Sequence, residues 1–334
     1  MLGFSHSLTE YRFPKLLLFP EMPISEENPV TEEGVQLGRF LFYDSILSKD
    51  YTLSCSSCHK QEFAFSDSPN QFSKGSLGLT NRNTMPLFNL AWYPSFFWDG
   101  RATSLENQVF EPVRNHSEMN LEWKEAEKRI RSSSFYRKKF KEAFPNQKID
   151  SILVSKAIAQ FERTLLSYNS KFDRVIRGED VLTQDEYDGF ILMNDQTKGD
   201  CLHCHTTDSN PLGTTLQFSN NGLDQANSIA QYLDKGLGAI SKKESDIGLF
   251  KIPSVRNLGF TSPYMHDGRF ETLEEVLEFY SSGVHNSINV DSKMGFAYKG
   301  GNGLSKEEQK KIIAFLNTMN DSVFVRQKMH SNPF

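Results

Sequence analysis

The chain has 334 residues, with 37 Lys and Arg against 42 Asp and Glu, a formal net charge of −5 and 38% hydrophobic residues. This length favours two domains, and the apolar content excludes a disordered chain. The slightly acidic balance gives no electrostatic footprint for nucleic acid, and no apolar run is long enough to predict a membrane span. The apolar run at residues 16–19 is too short for a signal peptide, so we expect any export signal to be absent from this sequence.

The predicted elements are helices joined by loops, because period-2 alternation bounded by hairpin signals is scarce. In the first half, the sequence predicts an amphipathic helix over residues 35–43, a charged surface helix over 121–131 and a helix with an apolar stripe over 152–167. Later helix starts are marked by three capping boxes, which pair Thr183 with Glu186, Thr272 with Glu275, and Ser305 with Glu308. The last of these helices is predicted to run through Met319. The pattern therefore indicates an all-α fold.

The four cysteines form two C-x-x-C pairs, and a histidine follows each pair directly. The two motifs are Cys55, Cys58 and His59, and Cys201, Cys204 and His205. C-x-x-C-H is the attachment signature of a c-type haem. The thiols bind the porphyrin covalently, and the adjacent histidine can bind the iron as its proximal ligand. The sequence therefore predicts two covalent haem c groups.

Other uses of the cysteines explain less of the pattern. A thioredoxin-like motif does not account for a histidine after both pairs, and a Cys₄ zinc site leaves both histidines as accidents with a joint chance of roughly one in a thousand. A disulfide framework is excluded because every cysteine is used. Covalent haem c is assembled outside the cytoplasm, so we expect a periplasmic protein.

A repeated order of elements suggests the domain organisation. A helix with aromatic residues precedes each C-x-x-C-H, a long loop follows, and another helix closes the unit. This order predicts two cytochrome c-like domains, over residues 21–170 and 171–325, each with one covalently bound haem. Taken alone, the pattern also fits a non-catalytic di-haem electron-transfer cytochrome.

Further motifs extend beyond the haem-attachment sites. They are LGRFLFYD (37–44), FWDGRA (97–102), FERT (161–164), PSVRN (253–257) and TSPYMHDG (261–268). With these motifs the chain resembles the bacterial di-haem cytochrome c peroxidase family, which includes the methylamine-utilisation enzyme MauG. The resemblance covers about residues 20 to 320.

The resemblance implies roles for individual residues. The haem on His59 corresponds to the family's peroxidatic site, with Glu118 as the distal carboxylate and Gln108 as the distal amide. A carboxylate there can move a proton between the two peroxide oxygens, first as a base and then as an acid. Trp98 matches the tryptophan between the haems and implies an electron relay. Without the resemblance, each of these is an ordinary core or loop residue.

The resemblance also implies a calcium site. Asn83, Thr261 and Pro263 match its ligands in the family. An amide oxygen, main-chain carbonyls and waters suit a hard cation.

The sequence departs from many peroxidases after the first haem motif. Those members carry a distal histidine there, which blocks the iron until the second haem is reduced. Here no histidine occurs between His59 and His116, and the matching stretch at residues 73–78 offers no strong ligand. We therefore expect an open, high-spin first haem that needs no reductive activation.

A second departure concerns the distal ligand of the haem on His205. The register places Tyr280 at the family's methionine position, as in MauG, and Met294 is the nearest downstream alternative. A phenolate oxygen favours the oxidised iron, whereas a methionine sulfur raises the potential.

Three functions follow from these expectations. The first is a peroxidase that reduces hydrogen peroxide to water with electrons from a small cytochrome or cupredoxin. The second is a MauG-like oxidation of a partner protein, and the third is electron transfer without catalysis. Family members are often dimers, which leaves a homodimer as an expectation.

Overall fold

The computed structural model describes residues 8–207 and 210–334, and helices are its main regular elements. Within these ranges the α-helices are α1 (Glu32–Tyr43), α2 (Cys55–Cys58), α3 (Leu105–Arg114), α4 (Trp123–Ser132), α5 (Ser134–Ala143), α6 (Ser151–Arg163), α7 (Lys171–Ile176), α8 (Gln184–Asn194), α9 (Gly238–Ser241), α10 (Leu273–Glu278) and α11 (Lys306–Thr318). A π-helix, Phe279–Gly283, directly follows α10. None of the helices in the described ranges is long and apolar enough to cross a bilayer.

Short 3-10 helices lie within the loops. They are Ser45–Leu47, Gln61–Phe63, Leu90–Trp92, Cys201–His203, Ile229–Gln231, Glu244–Asp246, Leu258–Phe260, Ala297–Lys299, Phe324–Arg326 and Lys328–His330.

Among the residues that the structure describes, the strands form two antiparallel pairs of two residues each. β1 (Lys74–Gly75) pairs with β2 (Gly78–Leu79), and β3 (Phe218–Ser219) pairs with β4 (Phe250–Lys251). In the second pair Phe218 lies opposite Lys251. Segments of two residues are too short to show an alternating pattern, so the sequence did not predict them. The fold is therefore mostly α, as predicted.

The predicted helices are present with shifted ends. α1 begins three residues before its predicted start, where the Thr31 side chain accepts a hydrogen bond from the Gly34 amide. The prediction for residues 152–167 was wrong at its C-terminal end, because α6 stops at Arg163. The Asn89 side chain hydrogen-bonds both the amide and the carbonyl of Ser167 and holds this stretch outside the helix. All three predicted capping boxes form.

Helix crossings at glycine build the two largest cores. α1 packs on α6, and a Cβ on Gly38 would lie 1.9 Å from the carbonyl oxygen of Ala157. α8 packs on α11 in the same manner, and a Cβ on Gly189 would lie 2.0 Å from the Lys311 carbonyl oxygen. Only glycine permits these backbones to approach so closely. Each half of the chain thus has its own helix crossing and its own buried core.

The C-terminal segment returns to the first half of the chain. Phe324 belongs to the core formed by α1 and α6, and its ring lies 5.7 Å from that of Phe65. The Tyr43 hydroxyl donates a hydrogen bond of 2.8 Å to the carbonyl of His330. The end of the predicted second domain therefore packs on the first core.

Candidate functional site

Each C-x-x-C-H segment borders its own cavity. The space lined by Cys55, Cys58 and His59 is called the first cavity, and the space lined by Cys201, Cys204 and His205 the second cavity. All four thiols are free of disulfide bonds. The first cavity has a volume of about 460 Å³, which lies within the range of cofactor pockets.

Each motif histidine is held by a hydrogen bond in the tautomer that can bind iron. The Nδ1–H of His59 donates a hydrogen bond of 2.8 Å to the carbonyl of Phe65, and that of His205 donates one of 3.0 Å to the carbonyl of Pro253. This tautomer leaves Nε2 unprotonated, as iron ligation requires. Burial lowers the pKa of His59 and lowers that of His205 to about 4, so both rings are neutral near pH 7. The arrangement fits a haem iron in each cavity.

The first cavity brings the two predicted distal residues together with His59. Gln108 comes from α3, and Glu118 comes from the loop after that helix. Glu118 Oε1 accepts a hydrogen bond of 2.7 Å from the Asn115 amide, which orients the carboxyl group. Burial raises the pKa of Glu118. A raised pKa suits a group that must both accept and return a proton.

The β1–β2 hairpin supports the Glu118 loop. The Ser76 amide donates a hydrogen bond of 2.9 Å to the Glu118 carbonyl, and a Cβ on Gly75 would lie 1.7 Å from the carbonyl oxygen of Ser117. Among the residues that the structure describes, His59 is the only histidine lining the first cavity. Residues 73–78 therefore support the loop that carries Glu118, and they bring no histidine to this cavity.

Trp98 lies at the junction of the two cavities and lines both of them. Its indole Nε1 donates a hydrogen bond to the Asn83 carbonyl, and its own carbonyl accepts one of 2.9 Å from the Lys251 amide. Asn83 and Lys251 also line both cavities. This position is consistent with the predicted relay between two redox centres.

Both candidate distal ligands of the second site lie in the second cavity. Tyr280, in the π-helix, and Met294 line it with His205. The Asn221 amide donates a hydrogen bond of 3.0 Å to the Tyr280 hydroxyl, and burial raises the pKa of that hydroxyl to about 12. π-helical turns are frequent at functional sites. The structure brings both side chains to the cavity, so the alternative stays open.

The three residues predicted to bind calcium also line the second cavity. The main-chain amide of Asn83 donates a hydrogen bond of 2.8 Å to the main-chain carbonyl of His266. This bond joins Asn83 to the segment that contains Thr261 and Pro263. The described residues contain no cluster of three His, Cys, Asp or Glu side chains able to hold a metal. The predicted site instead relies on amide and carbonyl oxygens, which suit calcium.

Two residues of the first cavity were missed by the sequence analysis. Glu162 is 4% exposed, its Oε2 has no hydrogen-bond partner among the described residues, and burial raises its pKa to about 8. Lys251 is 3% exposed. Both stand next to apolar positions, Phe161 and Ile252, and a charge inside a buried stretch is the signal that could have identified them.

A family model matches the first half of the chain. The family is described as di-haem cytochrome c peroxidase, and the match covers residues 32–181. That range contains the whole of the first C-x-x-C-H motif and both predicted distal residues, Gln108 and Glu118.

Similar proteins cover most of the chain. The methylamine utilization protein MauG of Methylophilus methylotrophus is 32% identical over 303 residues, which are 89% of this chain and 85% of that protein. The cytochrome c551 peroxidase of Nitrosomonas europaea is 31% identical, covering 90% of this chain and 84% of that protein. Among solved structures, a MauG-like protein associated with microbial copper homeostasis has a TM-score of 0.86 and 31% identity, and the match covers 97% of this chain and 99% of that one.

Proposed function

Because the chain belongs to the di-haem cytochrome c peroxidase family and is an oxidoreductase acting on hydrogen peroxide, we propose that the first cavity is where peroxide is reduced to water. The observation that carries this proposal is the convergence of Glu118, Gln108 and His59 on one cavity. The electrons for the reduction of peroxide would come from a small cytochrome or cupredoxin.

The cavities fit covalently bound haem. We infer that Cys55 and Cys58 bind one haem and that Cys201 and Cys204 bind the other, because all four thiols border the cavities and are free. Each haem would supply a redox-active iron, and the first would also supply the position where peroxide binds. Covalent haem c implies a periplasmic location. The separate core in each half supports two cytochrome c-like domains, over residues 21–170 and 171–325.

The proton chemistry is assigned to Glu118. Cleavage of the peroxide O–O bond requires the proton on one oxygen to reach the other, which then leaves as water. As a base, the Glu118 carboxylate takes this proton, and as an acid it returns the same proton to the leaving oxygen. The Gln108 amide can orient peroxide by hydrogen bonding. The bond from Asn115 keeps the Glu118 carboxyl in one position during both transfers.

Trp98 and the second cavity are assigned to electron transfer. Trp98 lines both cavities, so its indole offers a path between the two redox centres. We propose Tyr280 as the distal ligand of the second haem, with Met294 as the alternative. A phenolate ligand lowers the reduction potential relative to a thioether.

Calcium is proposed between Asn83, Thr261 and Pro263. The hydrogen bond between Asn83 and His266 supports this assignment, because it joins the two segments that carry the oxygen donors. Calcium at this point would hold the Trp98 segment against the second cavity.

A second candidate function is MauG-like oxidation of a partner protein. The observation that favours it is Tyr280 in the second cavity, because an anionic ligand makes that haem a poor store of reducing electrons. A homodimer stays a prediction for either function.

One spectroscopic experiment tests the peroxide reaction. One equivalent of hydrogen peroxide is added to the ferric protein with both haems attached, and the absorption spectrum is recorded. We expect an immediate change at a high-spin haem, followed by turnover when a reduced small cytochrome is added. Two six-coordinate low-spin haems that do not react with peroxide would contradict the proposal. Reaction without cytochrome turnover would instead favour oxidation of a partner protein.

A further inference from the structure

Lys251 is a buried lysine on which the charge of Asp99 acts without forming an ion pair. Its side chain, on β4, is 3% exposed. The ammonium Nζ donates a hydrogen bond to the carbonyl of Ser95 and lies 5.3 Å and 5.4 Å from the ring centroids of Tyr93 and Phe96. No carboxylate among the described residues forms an ion pair with it. An unpaired buried charge is costly, so such groups normally have a counter-charge.

The ammonium group reaches the first cavity although Lys251 follows the second haem motif in sequence. Lys251 borders both cavities, but the rings next to its ammonium, Tyr93 and Phe96, line the first cavity and not the second. The hydrogen bond from its amide to the Trp98 carbonyl fixes the strand in this position. The second half of the chain thus contributes a positive charge to the first site.

The other cations of the first cavity are already paired. Arg82 and Arg101 lie 2.6 Å and 3.0 Å from oxygens of Asp99. Burial lowers the pKa of Lys251 to about 7, although the charge of Asp99 raises it, so burial disfavours the ammonium form. A bound carboxylate would stabilise that form. Among the described residues that line this cavity, Lys251 is therefore the cation that forms no ion pair and can bind an anionic ligand.

We propose that the Lys251 ammonium binds a propionate carboxylate of the haem in the first cavity. This inference rests on the proposed function, which places a haem there. Haem has two propionates, which are the anions that this cavity would receive with its cofactor. A positive charge at the haem edge favours the more reduced iron, so Lys251 would also raise the reduction potential of the first haem.

The test compares reduction potentials in variants that carry both haems. Lys251→Met removes the charge and keeps most of the apolar volume, whereas Lys251→Arg keeps the charge. The matched control is Lys293→Met, which removes an exposed lysine bordering the second cavity. Spectroelectrochemical titration resolves the two haems, and the haem-to-protein ratio is measured for each variant.

We expect Lys251→Met to lower the potential of the first haem by about 59 mV, a tenfold change in the one-electron equilibrium constant. Lys251→Arg should keep a potential near that of the parent, and solvent should screen the effect of Lys293→Met. Where Lys251→Met does not fold, Lys251→Gln provides the same comparison. An unchanged first-haem potential in a charge-removing variant with full haem content would overturn the proposal. Failure of the proposed function would appear separately, as a parent protein that does not react with peroxide.

Discussion

The indole nitrogen of Trp98 lies 2.9 Å from the carbonyl oxygen of Asn83, to which it donates a hydrogen bond. The main-chain amide of Asn83 in turn donates a hydrogen bond to the carbonyl of His266. The ring of His266 stacks on that of Phe250 at 3.7 Å, and Phe250 is the neighbour of Lys251 in β4. The orientation of the indole is therefore determined by segments from both halves of the chain.

Replacing this indole should slow electron transfer between the two proposed haems without stopping the reaction with peroxide. We expect Trp98→Phe to keep the initial spectral change at the first haem and to slow the later change at the second, because the indole proposed as the relay and its hydrogen bond to Asn83 are both lost. Stopped-flow absorption after mixing with peroxide measures both phases. The matched control is Trp92→Phe. The indole nitrogen of Trp92 donates a hydrogen bond to the carbonyl of Pro20, and Trp92 does not border either cavity. Equal second phases in both variants would remove Trp98 from the electron path.

Loss of the Glu118 carboxylate should slow the peroxide step itself. Glu118→Gln keeps the shape of the side chain but cannot accept the proton, so we expect a rate about 10²–10⁴-fold lower. The control is Glu111→Gln. Glu111 borders the same cavity, but it is more exposed and pairs with Arg114 at 3.0 Å. Stopped-flow rates at several peroxide concentrations give the comparison, and a parent-like rate for Glu118→Gln would exclude its role as proton carrier.

Substitutions in the second cavity should identify the distal ligand. We expect Tyr280→Phe to change the paramagnetic-resonance spectrum of the ferric second haem and to raise its reduction potential, since an anionic oxygen ligand is lost. Met294→Leu should change neither quantity. The opposite result, with Met294→Leu altering the spectrum and lowering the potential, would assign the ligand to Met294.

Glu162 should make the stability of the protein depend on pH. Its pKa in the folded protein is about 8, above the usual value of 4.5, because burial disfavours the charged form. Its contribution to stability is fully present below about pH 4.5 and is lost as pH rises through about 8, at up to about 1.4 kcal/mol per unit of pKa shift.

Glu162→Gln should therefore flatten the decline in the free energy of unfolding between about pH 5 and pH 9. Urea unfolding of the protein with both haems attached, at several pH values, measures this slope. Glu111→Gln serves as the control, because it removes a more exposed carboxylate from the same cavity wall. A slope that is the same in Glu162→Gln and the parent would show that Glu162 does not titrate in this range.

Local sequence signals predicted much of the fold. The capping box of Thr183 and Glu186 forms because both partners lie within one helical turn. The C-x-x-C-H motifs were readable for the same reason, since each is complete within five residues. The end of α6 was not predictable, because it depends on Asn89, which is distant in sequence.

The candidate site follows the same division between local and distant contacts. The resemblance to a known family pointed to Glu118 and Gln108, and the structure places both in one cavity with His59. Lys251 was missed because its proximity to Tyr93 arises only when the two halves pack together. A choice between Tyr280 and Met294 was equally beyond sequence patterns, because both side chains reach the second cavity.

The return of the segment around Phe324 to the first half of the chain has a consequence for folding. The rings of Phe324 and His330 pack against that of Phe65, which follows the first C-x-x-C-H motif closely in sequence. Because these contacts join segments that are far apart along the chain, forming them closes a long loop and costs chain entropy. The apolar wall next to His59 is therefore completed by tertiary folding and not by structure local to the motif.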